Sequence, residues 1–335
     1  MQMAQNKTEE NILNDAFRSI KGYFFYAVFF SASINLLMLT PVIYMLQVYD
    51  RVVSSGSMST LMMLTLLMML LLSSAGGFEW VRSRLLVAAN VRLESALRDP
   101  LSKAAFTDTL VTGSPNGASQ VMSDLLGLRQ FITGNGAFAL MDAPWTLFYI
   151  GIMFLFHPMF GIAAIISAVI MILLAVITQK ATSNKLLKAN QLTTTTNMSF
   201  RSNLRNAEVI HGMGMAANIR KRDNLLFDAA SEEQAVASTI AGRLSAISKS
   251  FRMISQSVLL GMGAYLALNG EISPGLMIAG SLLLGRALAP IDLMVGNWKG
   301  FVEVKSQFNR IRDTLAAFPA ENDRMDLPAP NGNLS

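Results

Sequence analysis

The run LMMLTLLMMLLLSSAGGF, residues 61–78, contains neither a charged side chain nor a proline. A helix rises about 1.5 Å per residue, so about 20 such residues cross a hydrocarbon core of roughly 30 Å. Counted from Met58, the stretch is long enough to span a membrane. Working outward, five further segments pass or approach the same test, at about 22–46, 131–156, 159–179, 251–268 and 274–298. Only His157 and Pro158 separate the third and fourth spans, which predicts a tight helical hairpin. The fifth and sixth are less apolar and flank the turn Asn269-Gly270-Glu271-Ile272-Ser273. Lys21 ahead of the first segment could suggest a signal peptide. Its apolar run exceeds the usual core of about 7–15 residues, however, and no small-residue cleavage site precedes Tyr49-Asp50-Arg51, so it reads as a retained span.

Composition agrees. The 335 residues are 52% hydrophobic and only 15% charged, where soluble domains carry roughly 25% charge. Cysteine is absent, which excludes a disulfide framework, a thiolate metal site and a thiol nucleophile. The two histidines, His157 and His211, are too far apart in sequence to suggest a metal cluster or a histidine-based triad. The 22 methionines lie mostly in greasy runs such as Met62-Met63 and Met68-Met69, where flexible packing explains them better than metal transport. Small residues at Ser73-Ser74-Ala75-Gly76-Gly77 and at Gly275, Gly280 and Gly285 allow close helix approach, within one chain or between two.

The net charge of +5 could point to nucleic acid, but the cations are distributed as in a membrane protein. The connection 79–130 carries six, including Arg82 and Arg129; the connection 180–250 carries ten, including Arg220-Lys221-Arg222; the segment after Trp298 carries five. The other three connections share one, Arg51. By the positive-inside rule both termini and both long connections lie in the cytoplasm. This bias accounts for the basic balance without nucleic acid as a partner.

Connections alternate short, long, short, long, short. The long ones do not read as loops: Leu86, Ala89, Leu93, Ala96 and Leu97 recur at helical spacing, and 186–227 is free of proline. Spans two to five are therefore expected to continue as helices into the cytoplasm. Each long connection turns back once, at Gly113-Ser114-Pro115-Asn116-Gly117 in the first and near Gly212-Met213-Gly214 in the second. Two arms sharing about 50 residues reach roughly 35–40 Å.

Charges inside spans are expensive, about 2.5–3.5 kcal/mol on insertion scales, and face a bundle interior or an aqueous path. Arg286 and Asp292 in the sixth span and Asp142 in the third are thus candidates for a transport path or an internal ion pair. Asp50 and Arg51 fall in the first external loop, where a local ion pair or a helix cap is expected.

Six spans with long cytoplasmic helical arms form an all-α integral membrane fold with the ground plan of an ABC exporter transmembrane domain. Particular residues sharpen the likeness. Pro41-Val42-Ile43-Tyr44-Met45-Leu46-Gln47-Val48-Tyr49-Asp50-Arg51-Val52 resembles the first external loop of the type I secretion ATPases of the PrtD-like group. Met141-Asp142-Ala143-Pro144-Trp145 followed by Phe154-Leu155-Phe156-His157-Pro158 is similar to the same group. Arg205-Asn206-Ala207-Glu208-Val209-Ile210 with Met213-Gly214-Met215 resembles its second coupling region, and Gly285-Arg286-Ala287-Leu288-Ala289-Pro290-Ile291 with Trp298 its last span.

The resemblance implies a domain-swapped homodimer of this chain. Its two nucleotide-binding domains would bind ATP and Mg and dock at the turns near Gly113 and Gly212, including Glu208 and His211. It also implies a secreted polypeptide with a C-terminal signal, a periplasmic adaptor protein, an outer-membrane channel and an inner-membrane location. Residues 1–21 then form a cytoplasmic N-terminal arm, 22–312 the transmembrane domain, and 313–335 a linker resembling the one that introduces a nucleotide-binding domain. No G-x-x-x-x-G-K-[ST] loop occurs in the sequence. These residues alone are therefore expected to bind no cofactor and hydrolyse no ATP; the motor would follow in cis, the chain stopping at the linker as a truncation, or come as a separate chain. An exporter of lipids or small molecules, or a six-span membrane protein outside the ABC class, are the alternative readings.

Overall fold

The structure is a computed structural model and describes residues 2–112 and 116–317. Its elements in chain order are α1 (Gln2–Leu37), α2 (Thr40–Gln47), a π-helical turn (Val48–Val52), α3 (Val53–Ser55), α4 (Met58–Thr112), α5 (Asn116–Ile132), α6 (Asn135–Asp142), α7 (Trp145–Phe156), α8 (Pro158–Arg205), α9 (Ala207–Gly212), α10 (Ala216–Leu268), α11 (Pro274–Gly296) and α12 (Trp298–Ala317). No strand occurs among the described residues.

Five helices are long and apolar enough to cross a membrane, and the bent pair α6–α7 makes a sixth span. The expected fold of six spans with long helical extensions is what is observed. α4, α8 and α10, of 55, 48 and 53 residues, each run without interruption from a span into an arm. At about 1.5 Å per residue, α4 alone is roughly 80 Å long. α1 runs unbroken through residue 22, so the helix does not mark where the N-terminal arm ends and the span begins.

The third span, expected over 131–156, is a broken one. It breaks at Thr133-Gly134 and again at Ala143-Pro144, with 44° between α6 and α7. Pro144 has no N–H to give to the carbonyl four residues back, and its ring crowds that carbonyl, so the helix cannot continue through it. Pro41 has the same effect in the first span, where Met38 and Leu39 form a turn between α1 and α2. The short connections end on left-handed glycines, Gly56 (φ 64°) and Gly270 (φ 76°), a conformation that costs glycine little. Pro158 and Pro274 open α8 and α11, where their missing N–H groups would have no helical partner.

Two cores hold these elements. In the spans, Tyr149, Met153, Phe160, Met171, Leu259, Leu266, Leu283 and Leu288 pack α7, α8, α10 and α11 together. In the arms, Leu93, Leu97 and Leu101 of α4 meet Leu125 of α5, Ile20 of α1, and Ile311 and Leu315 of α12. The four-residue spacing puts the α4 leucines on one stripe, and each full burial from water stabilises by about 1.5–3 kcal/mol.

Gly263 and Gly280 let the spans close on Phe160: a Cβ at Gly280 would lie 2.7 Å from the Phe160 ring, and one at Gly263 would lie 3.2 Å from it. The Gly275–Gly280–Gly285 row therefore packs within the chain, whereas Gly76 and Gly77 face open space. Around α4 the apolar surface points outward, with Met62, Met63, Leu66 and Leu70 all more than half exposed.

Candidate functional site

At the second break of the third span, five polar side chains from four helices converge. α1 supplies Ser31 and Asn35, α4 supplies Arg82, α6 ends in Asp142, and α7 supplies Tyr149. Three donors meet on one carboxylate oxygen, Asp142 Oδ1: Arg82 Nη1 at 3.2 Å, Asn35 Nδ2 at 2.9 Å, and the Ser31 hydroxyl. Tyr149 donates its hydroxyl to Asn35, 2.9 Å from both the backbone and the side-chain oxygen. The Arg82 guanidinium stacks 4.5 Å from the Phe138 ring centroid, and its Nε is buried with no acceptor. Arg82 is 4% exposed and Asp142 20%, so the pair is largely shielded, and each charge depends on the other.

The broken span makes this cluster possible. Where α6 stops, the Asp142 side chain turns toward α1 and α4 while α7 resumes at an angle and brings Tyr149 to Asn35. Asp142 was legible as a candidate; Arg82, Ser31, Asn35 and Tyr149 were not. Arg82 read as one more cation in a basic connection, since nothing in local sequence says that it turns inward.

The three charged residues expected to share a path or an ion pair are separated by their partners. Asp142 pairs with Arg82, and Asp292 accepts from Arg252 Nε at 3.1 Å. Arg286 is exposed and forms an ion pair with neither aspartate. Within the sixth span, Asp292 turns to Arg252 of α10 and not to Arg286.

Asp50 is a cap at long range. The π-helical turn Val48–Val52 carries its carboxylate to the start of α11, where Oδ1 accepts from the Gly275 N–H at 3.0 Å and Oδ2 from the Ser273 hydroxyl at 2.6 Å. Ser273 in turn accepts from the Leu276 N–H. The Gly275 N–H at the helix start is thereby met, the Leu276 N–H gains a second acceptor, and a negative charge sits at the positive end of the helix dipole. A Cβ at Gly275 would lie 2.6 Å from Asp50 Oδ1 and 2.9 Å from the Leu46 carbonyl, so only glycine permits this approach. Arg51, next door, is exposed. On the same side of the bundle, His157 Nε2 lies 3.3 Å from Glu271 and ties the two remaining short connections together.

At the far end of the arms, Gly113, Ser114 and Pro115 lie outside the described residues, and α5 begins at Asn116, with Gly117 in its first turn. The second tip is described. α9 carries Glu208 and His211 and ends at Gly212; Met213 and Gly214 (φ 67°) then turn the chain into α10. Glu208, Val209, His211, Met213 and Met215 are all exposed. Behind the tip, Asn203 Nδ2 donates to both oxygens of the nearly buried Asp223, at 2.9 and 3.0 Å, and clamps α8 to α10.

The α5 arm is tied to α12 by a second buried carboxylate. Asp124 accepts from Arg310 Nε and Nη2, each at 2.7 Å, and from Gln120 Nε2 at 3.0 Å. Donation to the Asp124 carboxylate, ahead of the opposing effect of burial, holds the Arg310 guanidinium above its usual range. Neither Asp124, Arg310 nor Asp223 stood out in the sequence, where each is one charge on a polar helix.

No group of three or more metal-ligating residues occurs among the described residues. Nor do the described residues contain a strand from which a phosphate loop could lead into a helix. The geometry defines a helical membrane device with arms.

Comparison with known proteins gives this class its family. The ABC transporter transmembrane region family matches residues 24–289, and the chain belongs to it. It is 38% identical over 308 residues to the type I secretion system ATP-binding protein PrsD of Rhizobium meliloti (strain 1021), covering 91% of this chain and 52% of that protein. It is 24% identical over 219 residues to the alpha-hemolysin translocation ATP-binding protein HlyB of Proteus vulgaris, covering 62% and 30% respectively. The leukotoxin export ATP-binding protein LtxB of Aggregatibacter actinomycetemcomitans is 23% identical over 215 residues. The chain spans about half the length of the first of these relatives and less of the others.

Proposed function

We propose that this chain is the membrane-spanning part of an ATP-driven type I secretion exporter, working as a pair of copies. The observation that carries the reading is the 38% identity to PrsD across 91% of the chain. The exposed apolar tip Val209–Met213–Met215 at the end of the α8–α10 arm supports it, since contiguous apolar surface far from a membrane marks a docking site. A nucleotide-binding domain, in cis or as a separate chain, binds ATP and Mg and closes on the two arm tips, around Gly113–Gly117 and Glu208–Gly214. The arms α4–α5 and α8–α10 carry that closure to the spans. Such a shift requires that the ATP-bound domain contact the tips differently in the two states.

In this reading the chain lies in the inner membrane with both termini and both arms in the cytoplasm, as the one-sided Lys and Arg distribution supports. The outward apolar face of α4 meets lipid or the second copy. Arg286, exposed on the most buried span, faces the path of an unfolded polypeptide, which passes to a periplasmic adaptor and an outer-membrane channel.

The absence of cysteine supplies the test, because Met213→Cys would be the sole thiol of these residues. A bifunctional crosslinker at that thiol is expected to join the tip to an ATP-binding domain in membranes from the source cells, with a yield that changes on adding ATP. No crosslink to such a domain in any nucleotide state would overturn the reading.

A further inference from the structure

Where α1 enters the spans, α1, α5 and α12 enclose a cleft of about 760 Å³ lined by Arg18, Lys21, Phe24, Phe131, Ile132 and Val304 among others. We propose that this cleft binds one anionic phospholipid, its phosphate on Arg18 and Lys21 and its chains against Phe24, Phe131 and Ile132.

The level is right. Asp50 and the start of α11 mark the opposite membrane surface. From Asp50 to Lys21 the helices α2 and α1 cover about 43 Å at 1.5 Å per residue, which matches the roughly 40–45 Å of a bilayer with its headgroups. Lys21 therefore sits at headgroup depth, Arg18 one turn further out, and Phe24 one turn further in.

The lining is also mixed as a lipid is. Phe24, Phe131 and Ile132 give it an apolar wall that Phe17 and Ile20 continue alongside the cations, and Arg18 and Lys21 with Asn14 and Asp15 supply its polar part.

The cations are available. Arg82, Arg129, Arg252 and Arg310 are each paired to a carboxylate. Arg18 and Lys21 are exposed and form no ion pair among the described residues. Asp15 is the one carboxylate lining the cleft, and it leaves the rim net positive. Basic clefts between helices at this depth are a general solution for holding anionic headgroups, each cation contributing independently to retention. The proposal rests on where the spans lie and is independent of what is transported.

The test is lipid retention by the purified full chain, read by native mass spectrometry after incubation with phosphatidylglycerol or phosphatidylcholine of identical chains. The chain is expected to retain one phosphatidylglycerol in preference to phosphatidylcholine, and R18Q/K21Q to lose that preference by on the order of tenfold. R18K/K21R is expected to keep it. Should the double variant not fold, R18Q and K21Q singly are each expected to weaken retention by about threefold to fivefold. Equal retention of the two lipids, unchanged retention by the folded Gln variants, or displacement of the lipid by excess inorganic phosphate would each overturn the proposal.

Discussion

Arg82 on α4 and Asp142 at the end of α6 lie 3.2 Å apart, 60 residues apart in sequence, and join the second span to the broken third. The pair sits where Pro144 prevents the helix from continuing, so the span bends at the point where its only acidic residue is held from outside. Removing Asp142 leaves the buried Arg82 with only the exposed Glu79, 3.9 Å away, as an acidic partner.

Asp142→Ala is accordingly expected to lower stability by about 3–5 kcal/mol, seen as a lower melting midpoint of the detergent-solubilised chain. The double change Arg82→Met with Asp142→Leu is expected to recover most of that loss. A double variant as unstable as the single one would show that the bend, and not the charge, carries the cost.

Asp50→Ala removes the acceptor for the Gly275 N–H and is expected to cost about 1–2 kcal/mol. Gly275→Val places carbon where Asp50 and the Leu46 carbonyl already lie, and is expected to be worse. Hydrogen exchange at the start of α11 is the measurement, and faster exchange at 275–276 in Asp50→Ala is the expected result.

At the arms, Asp124→Ala removes two charged hydrogen bonds from the partly exposed Arg310, with an expected loss of about 1.5–3 kcal/mol and faster exchange along α12. Because the Arg310 pKa is raised above its unfolded value, its contribution is fully present below that unfolded value and is lost only as pH rises through the folded one. Deprotonation of arginine therefore leaves the α5–α12 contact unaffected between about pH 6 and pH 9, and alkaline loosening in that range would contradict the geometry.

Gly280→Ala drives a methyl group to 2.7 Å from the fully buried Phe160 ring and is expected to cost about 1–3 kcal/mol in overpacking, whereas Gly77→Ala meets nothing within 4 Å. A thermal melt of the two variants side by side checks the contrast.

The spans and arms were legible in the sequence because both rest on one-dimensional signals, apolar length and helical period. Asp142 was legible too, since a carboxylate in an apolar run is conspicuous. Its partner was not: Arg82 stands just past the uncharged run 61–78, where a cation also serves as a topology signal, and only the packing of α1 on α4 shows it turned inward. Asp50 was read as a local cap or pair; its reach to Gly275 depends on a π-helical turn that no composition rule announces. The breaks in the third span were foreshadowed by Gly134 and Pro144, but apolar content alone concealed them.

The cap on α11 also has a place in time. Asp50 leaves the ribosome ahead of Gly275, which follows 225 positions later. At about 5–20 residues per second, Asp50 waits roughly 10–45 s for its partner, hydrated at the membrane surface. Its contact joins the π-helical turn to the start of α11, so a nascent chain cannot complete this corner until the helices between them have been made.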